Sequence, residues 1–261
     1  MSGHSKWATT KHKKAATDKV RSKLFAKLIR QVEVAAREGG ADMTANATLR
    51  TMFAKARDAS VPLDTIEKAI KRGSGDLEGV RYEAVSYEGY APAGVAVIVE
   101  CLTDNRNRTG AEVRMIFNRS GGSMAEPGAV SWQFERKGVL LLARSASGGS
   151  GAAASEGTEE DAMTLAALEA GAEDLADEGE YWRVTSAPGD LAQVRTALEE
   201  AGFTVESAEL AMVSSTVVPL STEEDARKVL RVMDALEDHD DVQNIWANFE
   251  VDDDIAELVE A

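Results

Sequence analysis

The sequence predicts an α+β protein with a small N-terminal helical domain and two ferredoxin-like α/β domains, one inserted in the other. Up to Gly73, apolar residues recur at helical spacing. After the Gly73-Ser74-Gly75 triplet, short apolar runs of strand type alternate with helical patterns. Residues 137–213 show a complete βαββαβ order, which is typical of the ferredoxin-like split fold. The unit before them lacks its last αβ half, and the C-terminal residues supply that half.

Three helices are predicted in the helical domain. The first begins at the N-cap Thr17 and ends at Gly39-Gly40. The second covers residues 45–59. The third starts at Pro62, a favourable first-turn residue, and Gly73 follows it as a C′ residue.

Strands and helices alternate in the rest of the chain. Thr109-Gly-Ala-Glu112 has the pattern of a capping box and predicts the start of a helix. The low-complexity segment 145–157 predicts a mobile loop. The predicted strands cover residues 82–90, 94–102, 123–126, 130–135, 139–143, 174–177, 181–185, 204–213 and 242–251. The other predicted helices cover residues 159–170, 188–201 and 222–237.

From these elements follow the expected domain boundaries. They are residues 1–16 for a flexible basic arm, 17–77 for the helical domain, 78–136 with 214–253 for the first ferredoxin-like domain, 137–213 for the inserted one, and 254–261 for an acidic tail.

Charge is divided unevenly along the chain. The formal net charge is −16, yet the first 30 residues hold nine Lys or Arg and a single acid, Asp18. Residues 1–75 carry a net charge of +9 and the remainder −25. Because like charges held together destabilise a fold, this division indicates a partner, and a basic arm followed by a basic helix is typical of proteins that bind polyphosphates. The alternative is a merely solvated, charged N-terminus.

The candidate nucleic-acid-binding residues lie mainly in the arm and on the first helix. The rings of Trp7 and His12 are suited to stacking on bases. On the first helix, the cations lie opposite the apolar residues, and we expect them to face solvent. A second candidate is Thr103–Thr109, where a helix N-terminus and two arginines could attract an anion; the alternative is that Asp104 and Asn105 shape the turn and pair with those arginines. The complete set is His4, Lys6, Trp7, Lys11, His12, Lys13, Lys14, Lys19, Lys23, Lys27, Arg30, Arg106 and Arg108.

No catalytic constellation is evident in the sequence. The three histidines and one cysteine do not lie at metal-ligand spacing, and the acidic tracts lack the spacing of a calcium loop. Phosphate-binding and nucleophile motifs are also absent. Cys101 lies within an apolar run and is expected to be buried. We therefore expect no catalytic residue, metal, cofactor or small-molecule substrate, and a protein that is not an enzyme.

A cytoplasmic location is expected from three features. A single cysteine fits a reducing compartment. The N-terminus lacks the apolar region of a secretory signal. No stretch approaches the ~18 apolar residues of a membrane span, so no membrane partner is expected.

Two strings near the N-terminus, Gly3-His-Ser-Lys-Trp-Ala8 and Lys11-His-Lys-Lys-Ala-Ala16, closely resemble the opening of the YebC/PmpR family. The resemblance continues through Phe25–Arg30, Ala35–Arg37, Val61-Pro62, Ile66–Gly73, Tyr87–Pro92, Thr103–Thr109, Gly128–Trp132, Lys137-Gly138, Asp234–Asp238 and Asp241–Asn244. The segment at 145–157 looks longer than the usual loop of the family.

This resemblance implies one helical and two α/β domains and no catalytic residue. It implies transcriptional regulation with DNA binding, as for some members, or a translation factor that helps the ribosome through proline-rich stretches, as for others, including a mitochondrial relative.

Charge geometry bears on the choice between DNA and ribosomal RNA. The third helix, the natural element to read a major groove, carries Asp64 and Glu67 near its start. The cations of the arm and first helix suit a pocket in folded RNA, and the acidic remainder would repel a long duplex. We expect a nucleic-acid-binding regulator of gene expression, with RNA and the ribosome favoured and DNA left open. The alternative is a protein-interaction module that acts through the acidic α/β domains.

Overall fold

The computed structural model of the 261-residue chain describes residues 18–144, 156–179 and 181–251, with Ile255 and Val259. Within these ranges, the side chains of residues 18–20 and 156–160 are not described. Helices and sheets are both present, which confirms the α+β class. The described residues form two compact units, one of residues 18–131 with 220–247, 251, 255 and 259, and the other of residues 132–219 with 248–250.

The helical part contains α1 (Asp18–Gly39), α2 (Ala47–Asp58) and α3 (Leu63–Ser74). Their apolar sides meet in a core that includes Val32, Leu49 and Ile66, all fully buried. Asn46 caps α2: its Oδ1 accepts the Leu49 N–H at 2.9 Å, and its Nδ2 donates to the carbonyl of Ala35 at 2.8 Å. The predicted N-cap Thr17 lies outside the described residues.

The prediction that Gly73 ends the third helix is wrong. The helix continues to Ser74, and the left-handed residue that terminates it is Gly75, with φ 90°. Gly73 is buried, and a Cβ at this position would overlap the carbonyl oxygen of Glu33 in α1. Glycine is therefore needed here for the close approach of two helices rather than for a turn.

The next elements are β1 (Glu83–Tyr90), β2 (Ala96–Thr103), α4 (Arg106–Arg119) and β3 (Ser123–Ala125). Strands β1 and β2 form an antiparallel hairpin that pairs Glu83 with Thr103 and Tyr90 with Ala96. The crossover from β2 through α4 places β3 on the other side of β1. Apolar side chains occupy both faces of β2 and are buried, as its continuous apolar run predicts.

The second unit begins with β4 (Phe134–Ala143), α5 (Glu156–Ala170), β5 (Asp174–Asp177), β6 (Tyr181–Ser186), α6 (Leu191–Glu200) and β7 (Val205–Ser214). Its sheet has the order β5-β6-β4-β7, all neighbours antiparallel, as in the ferredoxin-like split. Both helices pack on one face, around Trp182, Leu140 and Met163. The loop predicted at 145–157 lies outside the described residues up to 155, and Glu156 already begins α5.

The chain then continues through β8 (Val218–Leu220), α7 (Glu223–Glu237), β9 (Val242–Ala247) and β10 (Phe249–Val251). Strand β9 pairs with β2 and completes a sheet of order β3-β1-β2-β9. Strands β8 and β10 form a separate two-stranded sheet. In the first sheet, β1 comes before the β2–α4–β3 crossover in the chain. In the second sheet, the strand at the same position is β6, and it comes after the corresponding β4–α5–β5 crossover.

Three element predictions need correction. Residues 130–135 do not form a separate strand: Ser131–Gln133 is a 3-10 turn and Phe134 begins β4. Residues 242–251 form two strands with Asn248 between them. The helix expected to start at Thr109 begins three residues earlier, because Asn105 rather than Thr109 is its N-cap.

Glu88 fixes the segment that leads into β4. Its carboxylate accepts the backbone N–H groups of Gly128 and Val130, each at 2.7 Å, and of Ser131 at 2.9 Å. Burial alone would raise the pKa of this carboxyl, but the hydrogen bonds from these three residues hold the pKa below its ordinary value. A buried carboxylate therefore stays ionised and orders the turn.

Candidate nucleic-acid interface

The predicted binding residues of the arm belong to a part of the chain that the structure does not describe. His4, Lys6, Trp7, Lys11, His12, Lys13 and Lys14 lie outside the described residues, as does the side chain of Lys19. Their role in binding stays a prediction.

The basic side of α1 does not face open solvent, contrary to expectation. The Lys23 ammonium lies 2.7 Å from Oδ1 of Asp238 and 3.1 Å from its carbonyl oxygen. The Lys27 ammonium donates to the carbonyl of Glu237 at 2.9 Å. The Arg30 guanidinium donates to the carbonyl of Asp240 at 2.8 Å.

These three cations thus meet the C-terminal end of α7 and the turn that follows it. The last carbonyls of a helix have no intrahelical partner and carry partial negative charge, so cations stabilise that end. Helical periodicity correctly placed the cations on one side of α1, but it could not show that another element covers that side.

Asp241 is the centre of this contact, with a side chain only 5% exposed. Its Oδ1 lies 2.8 Å from Nη1 of Arg30, and its Oδ2 lies 3.1 Å from Nη2 of Arg108. The Thr109 hydroxyl donates to the same Oδ2 at 2.7 Å. Burial alone would raise the pKa of Asp241, but the bonds from Thr109, Arg108 and Arg30 lower it overall.

The two arginines of Thr103–Thr109 have different surroundings. Arg108 bridges Asp104, at 2.7 Å, and Asp241. Asn105 accepts the Arg108 N–H at 3.1 Å and caps α4. For Arg108, the structure thus agrees with the alternative in which Asp104 and Asn105 shape the turn and pair with the arginine. The Arg106 side chain, in contrast, is exposed and has no ion-pair or hydrogen-bond partner among the described residues.

Sequence reasoning passed over two further arginines of α4. Arg114 and Arg119 are both exposed, and the described part of the chain offers neither a hydrogen bond nor an ion pair to their side chains. The signal was present in the sequence, because none of the positions three or four residues away from either arginine carries an acid.

A cleft of about 520 Å³ lies beside α1, lined in part by Arg30, Glu33, Arg72 and Tyr82. Glu33 is buried and binds Nε of Arg72 at 2.9 Å, and Arg30 lies over the Tyr82 ring at 5.3 Å from its centroid. Three of the charged residues that line the cleft, Arg30, Glu33 and Arg72, are therefore already paired within the fold.

Other kinds of site find little support in the described ranges. They contain no group of three or more His, Cys, Asp or Glu able to hold a metal ion. No helix there is long and apolar enough to cross a membrane. Cys101 is 2% exposed, and its burial raises the pKa of the thiol to about 12, which confirms its expected place in the core.

Comparison with known proteins decides the family. A model of the TACO1/YebC protein N-terminal domain matches residues 5–76, and a model of the TACO1/YebC second and third domain matches residues 82–249. The chain belongs to the TACO1/YebC family. The resemblance found in the sequence is thereby confirmed.

The similarity to family relatives extends over the whole length. The chain is 56% identical over 256 residues to a probable transcriptional regulatory protein of Thermobifida fusca, with 98% of each chain covered. It is 52% identical over 262 residues to a protein of the same name in Mycobacterium ulcerans, with 100% of each covered. The crystal structure of a conserved hypothetical protein, Aq1575 from Aquifex aeolicus, matches with a TM-score of 0.78 and 42% identity, covering 90% of this chain and 93% of that one.

Proposed function

We propose that this TACO1/YebC protein is a non-enzymatic, cytoplasmic regulator of gene expression that binds nucleic acid through its N-terminal arm and α1. The observation that carries the proposal is the charge division: nine cations and one acid in the first 30 residues of a chain with a net charge of −16. The names of the relatives, probable transcriptional regulatory proteins, support a role in gene expression.

Within this proposal, the cations divide into two groups. Lys23, Lys27 and Arg30 hold α1 against the end of α7, so part of their hydrogen-bonding capacity is already used. The arm lysines and histidines, with Trp7 for stacking and Lys19 beside them, make the first contact with phosphates and bases. Arg106 adds an exposed cation, whereas Arg108 contributes less because two carboxylates neutralise it.

Folded RNA is the target that these charges favour. In the helical part, Asp64 lies in the first turn of α3, where a groove-reading helix would meet phosphates. A crevice in ribosomal RNA needs only the arm to enter, whereas a long duplex would also meet the acidic α/β domains. Action on the ribosome, including relief of stalls at proline-rich stretches, is the translational form of this proposal. Regulation of transcription through DNA is the other form.

Binding to ribosomes and to DNA can be compared on the same full-length protein. We expect the protein to co-sediment with ribosomes in a sucrose gradient, and a promoter-length DNA duplex at equal phosphate concentration to compete poorly. Changing Lys13→Glu and Lys14→Glu should abolish most of the co-sedimentation and flatten its salt dependence. The matched control is Arg227→Glu with Lys228→Glu, which makes the same charge change on α7.

One result would contradict the proposal, and another would decide between its two forms. Unchanged co-sedimentation of the Lys13/Lys14 variant would remove the arm from the binding site. Sequence-selective retention on DNA, with no protein in the ribosomal fractions, would favour the transcriptional form over the translational one.

A further inference from the structure

Helix α4 is a basic element in an acidic part of the chain. Its 14 residues include four arginines and one acid, Glu112. Glu112 is directed to the turn after α7, where its Oε2 lies 2.8 Å from Nε2 of His239. The His239 Nδ1 accepts the Asp241 N–H at 3.1 Å, so Nε2 carries the proton that is donated to Glu112. The only acid of α4 is thus occupied within the fold.

Elsewhere in the described structure, an exposed helical cation commonly has an acid one turn away. Such pairs are Lys68 with Asp64, Arg195 with Glu199, Arg227 with Glu223 and Lys228 with Glu224. Arg114 differs because the residues three and four positions away from it are Gly110, Ala111, Phe117 and Asn118. Within the described ranges, Arg106, Arg114 and Arg119 have no side-chain partner, although the chain contains 45 acids.

Polar side chains complete the outer face of α4. Asn107, Ala111, Arg114 and Asn118 follow at intervals of four, three and four residues, so they form one stripe along the helix, and all four are exposed. Neither asparagine side chain makes a hydrogen bond to another described residue. The side chain of Ala111, in the middle of the stripe, is a single methyl group and projects little from the helix. From Arg106 to Arg119 the helix extends about 20 Å.

We propose that this face of α4 is a second contact surface for the phosphate and ribose backbone of a folded RNA. The inference rests on the proposed function and adds Asn107, Arg114 and Asn118 of this stripe, with Arg119 beside it at the C-terminal end of the helix, to the binding residues. Arginines supply charge-assisted hydrogen bonds to phosphates. Asparagine amides both donate and accept, as a ribose 2′-hydroxyl does, which favours RNA over DNA.

The length of the surface also favours folded RNA. About 20 Å of basic helix can follow a few phosphates of a bent strand. The residues after Gly75 carry a net charge of −25, so a straight duplex that continued beyond α4 would approach a strongly acidic protein.

The test uses the full-length protein and a 30-nucleotide RNA hairpin as the probe. Changing Arg114→Gln and Arg119→Gln should weaken binding about tenfold near 0.1 M salt and lower the salt slope by about 2, one unit for each lost phosphate contact. The control, Arg227→Gln with Lys228→Gln, removes the same charge from paired positions on α7 and should bind as the unchanged protein does. Equal melting temperatures of the two variants would show that folding is not responsible.

Each failure has a distinct meaning. If Arg114→Gln with Arg119→Gln binds normally while Lys13→Glu with Lys14→Glu does not, the α4 surface is wrong and the proposed function stands. If the unchanged protein binds neither the hairpin nor a DNA duplex of the same sequence, the proposed function fails as well. If the α4 variant loses affinity only for a DNA duplex of the same sequence, or if polyglutamate displaces the RNA at equal charge concentration, the surface is not an RNA site.

Discussion

Arg30 Nη1 lies 2.8 Å from Oδ1 of Asp241 and thereby joins α1 to the turn that precedes β9. The same carboxylate binds Arg108 and Thr109 from the start of α4. One buried acid therefore connects the helical part of the chain to the first sheet and to one of its covering helices. Cations that the sequence predicts to bind a polyphosphate thus also stabilise contacts between elements of the fold.

The first prediction concerns this carboxylate. Asp241→Asn should lower the free energy of unfolding by about 1–3 kcal/mol, because it leaves the Arg30 and Arg108 guanidinium groups with a neutral, poorer acceptor. Urea unfolding followed by circular dichroism measures the change. Asp104→Asn is the control: this carboxylate also pairs with Arg108 but is exposed, so the cost should stay below about 0.5 kcal/mol. Equal effects of the two variants would show that burial of Asp241 is unimportant.

The second prediction separates the stabilising lysines from the arm. Lys23→Glu with Lys27→Glu should destabilise the protein by about 1–2 kcal/mol, because two new anions would face the carbonyl end of α7 and Asp238. Lys13→Glu with Lys14→Glu, in the arm, should change stability by less than about 0.5 kcal/mol. Thermal and urea unfolding of both variants checks this. If the first variant is as stable as the unchanged protein, the contacts with α7 contribute nothing.

The third prediction is a dependence on pH. The pKa of Glu88 is lower in the folded protein than its ordinary value, so its contribution is complete above the pKa of the unfolded chain. That contribution disappears as the pH falls through the folded-state pKa. We expect the free energy of unfolding to fall between about pH 5 and pH 3, the range of ordinary carboxyl groups and just below it.

Glu88→Gln provides the control for this effect. The variant should be less stable at pH 7, because an amide has one acceptor oxygen for three backbone donors, and its acid-induced loss should be shallower. Asp241, whose pKa is also lowered, is unchanged in this variant and still contributes to the fall of the free energy of unfolding with pH. A variant with an unchanged slope would remove Glu88 from the acid response.

The fourth prediction concerns the crossing of α1 and α3. Gly73→Ala should cost about 1–3 kcal/mol, because its Cβ would overlap the Glu33 carbonyl and force the helices apart. Gly189→Ala is the matched control, since a Cβ there meets nothing within 4 Å. Differential scanning calorimetry should show a lower melting temperature only for the first variant. A normal melting temperature for Gly73→Ala would mean that the helices separate without cost.

Periodicity and capping residues predicted most of the fold. The first helix, the buried strand β2 and the inserted βαββαβ unit all follow from local patterns that tertiary contacts reinforce. The errors arose where a long-range contact outweighed a local signal. Gly73 looks like a helix terminator but serves a helix crossing, and Thr109 looks like a cap but donates to Asp241.

The candidate site was less predictable for a related reason. A helical wheel shows which cations share a side of α1, but the acceptors on α7 lie more than 200 residues later in the chain. Arg114 could have been recognised earlier, because the absence of a nearby acid is visible in the sequence itself. The domain boundaries and the role of the arm stay predictions.

Strand β2 has a consequence for biosynthesis. One of its edges is covered only by β9, and about 140 residues separate the two strands. At about 5–20 residues per second, that edge waits roughly 7–30 s for its partner while the inserted sheet, whose strands are all local, is completed first. An unpaired edge on an apolar strand is a template for aggregation, so the newborn chain is most vulnerable during this interval. Correct folding of the first sheet therefore depends on β9, which is synthesised late.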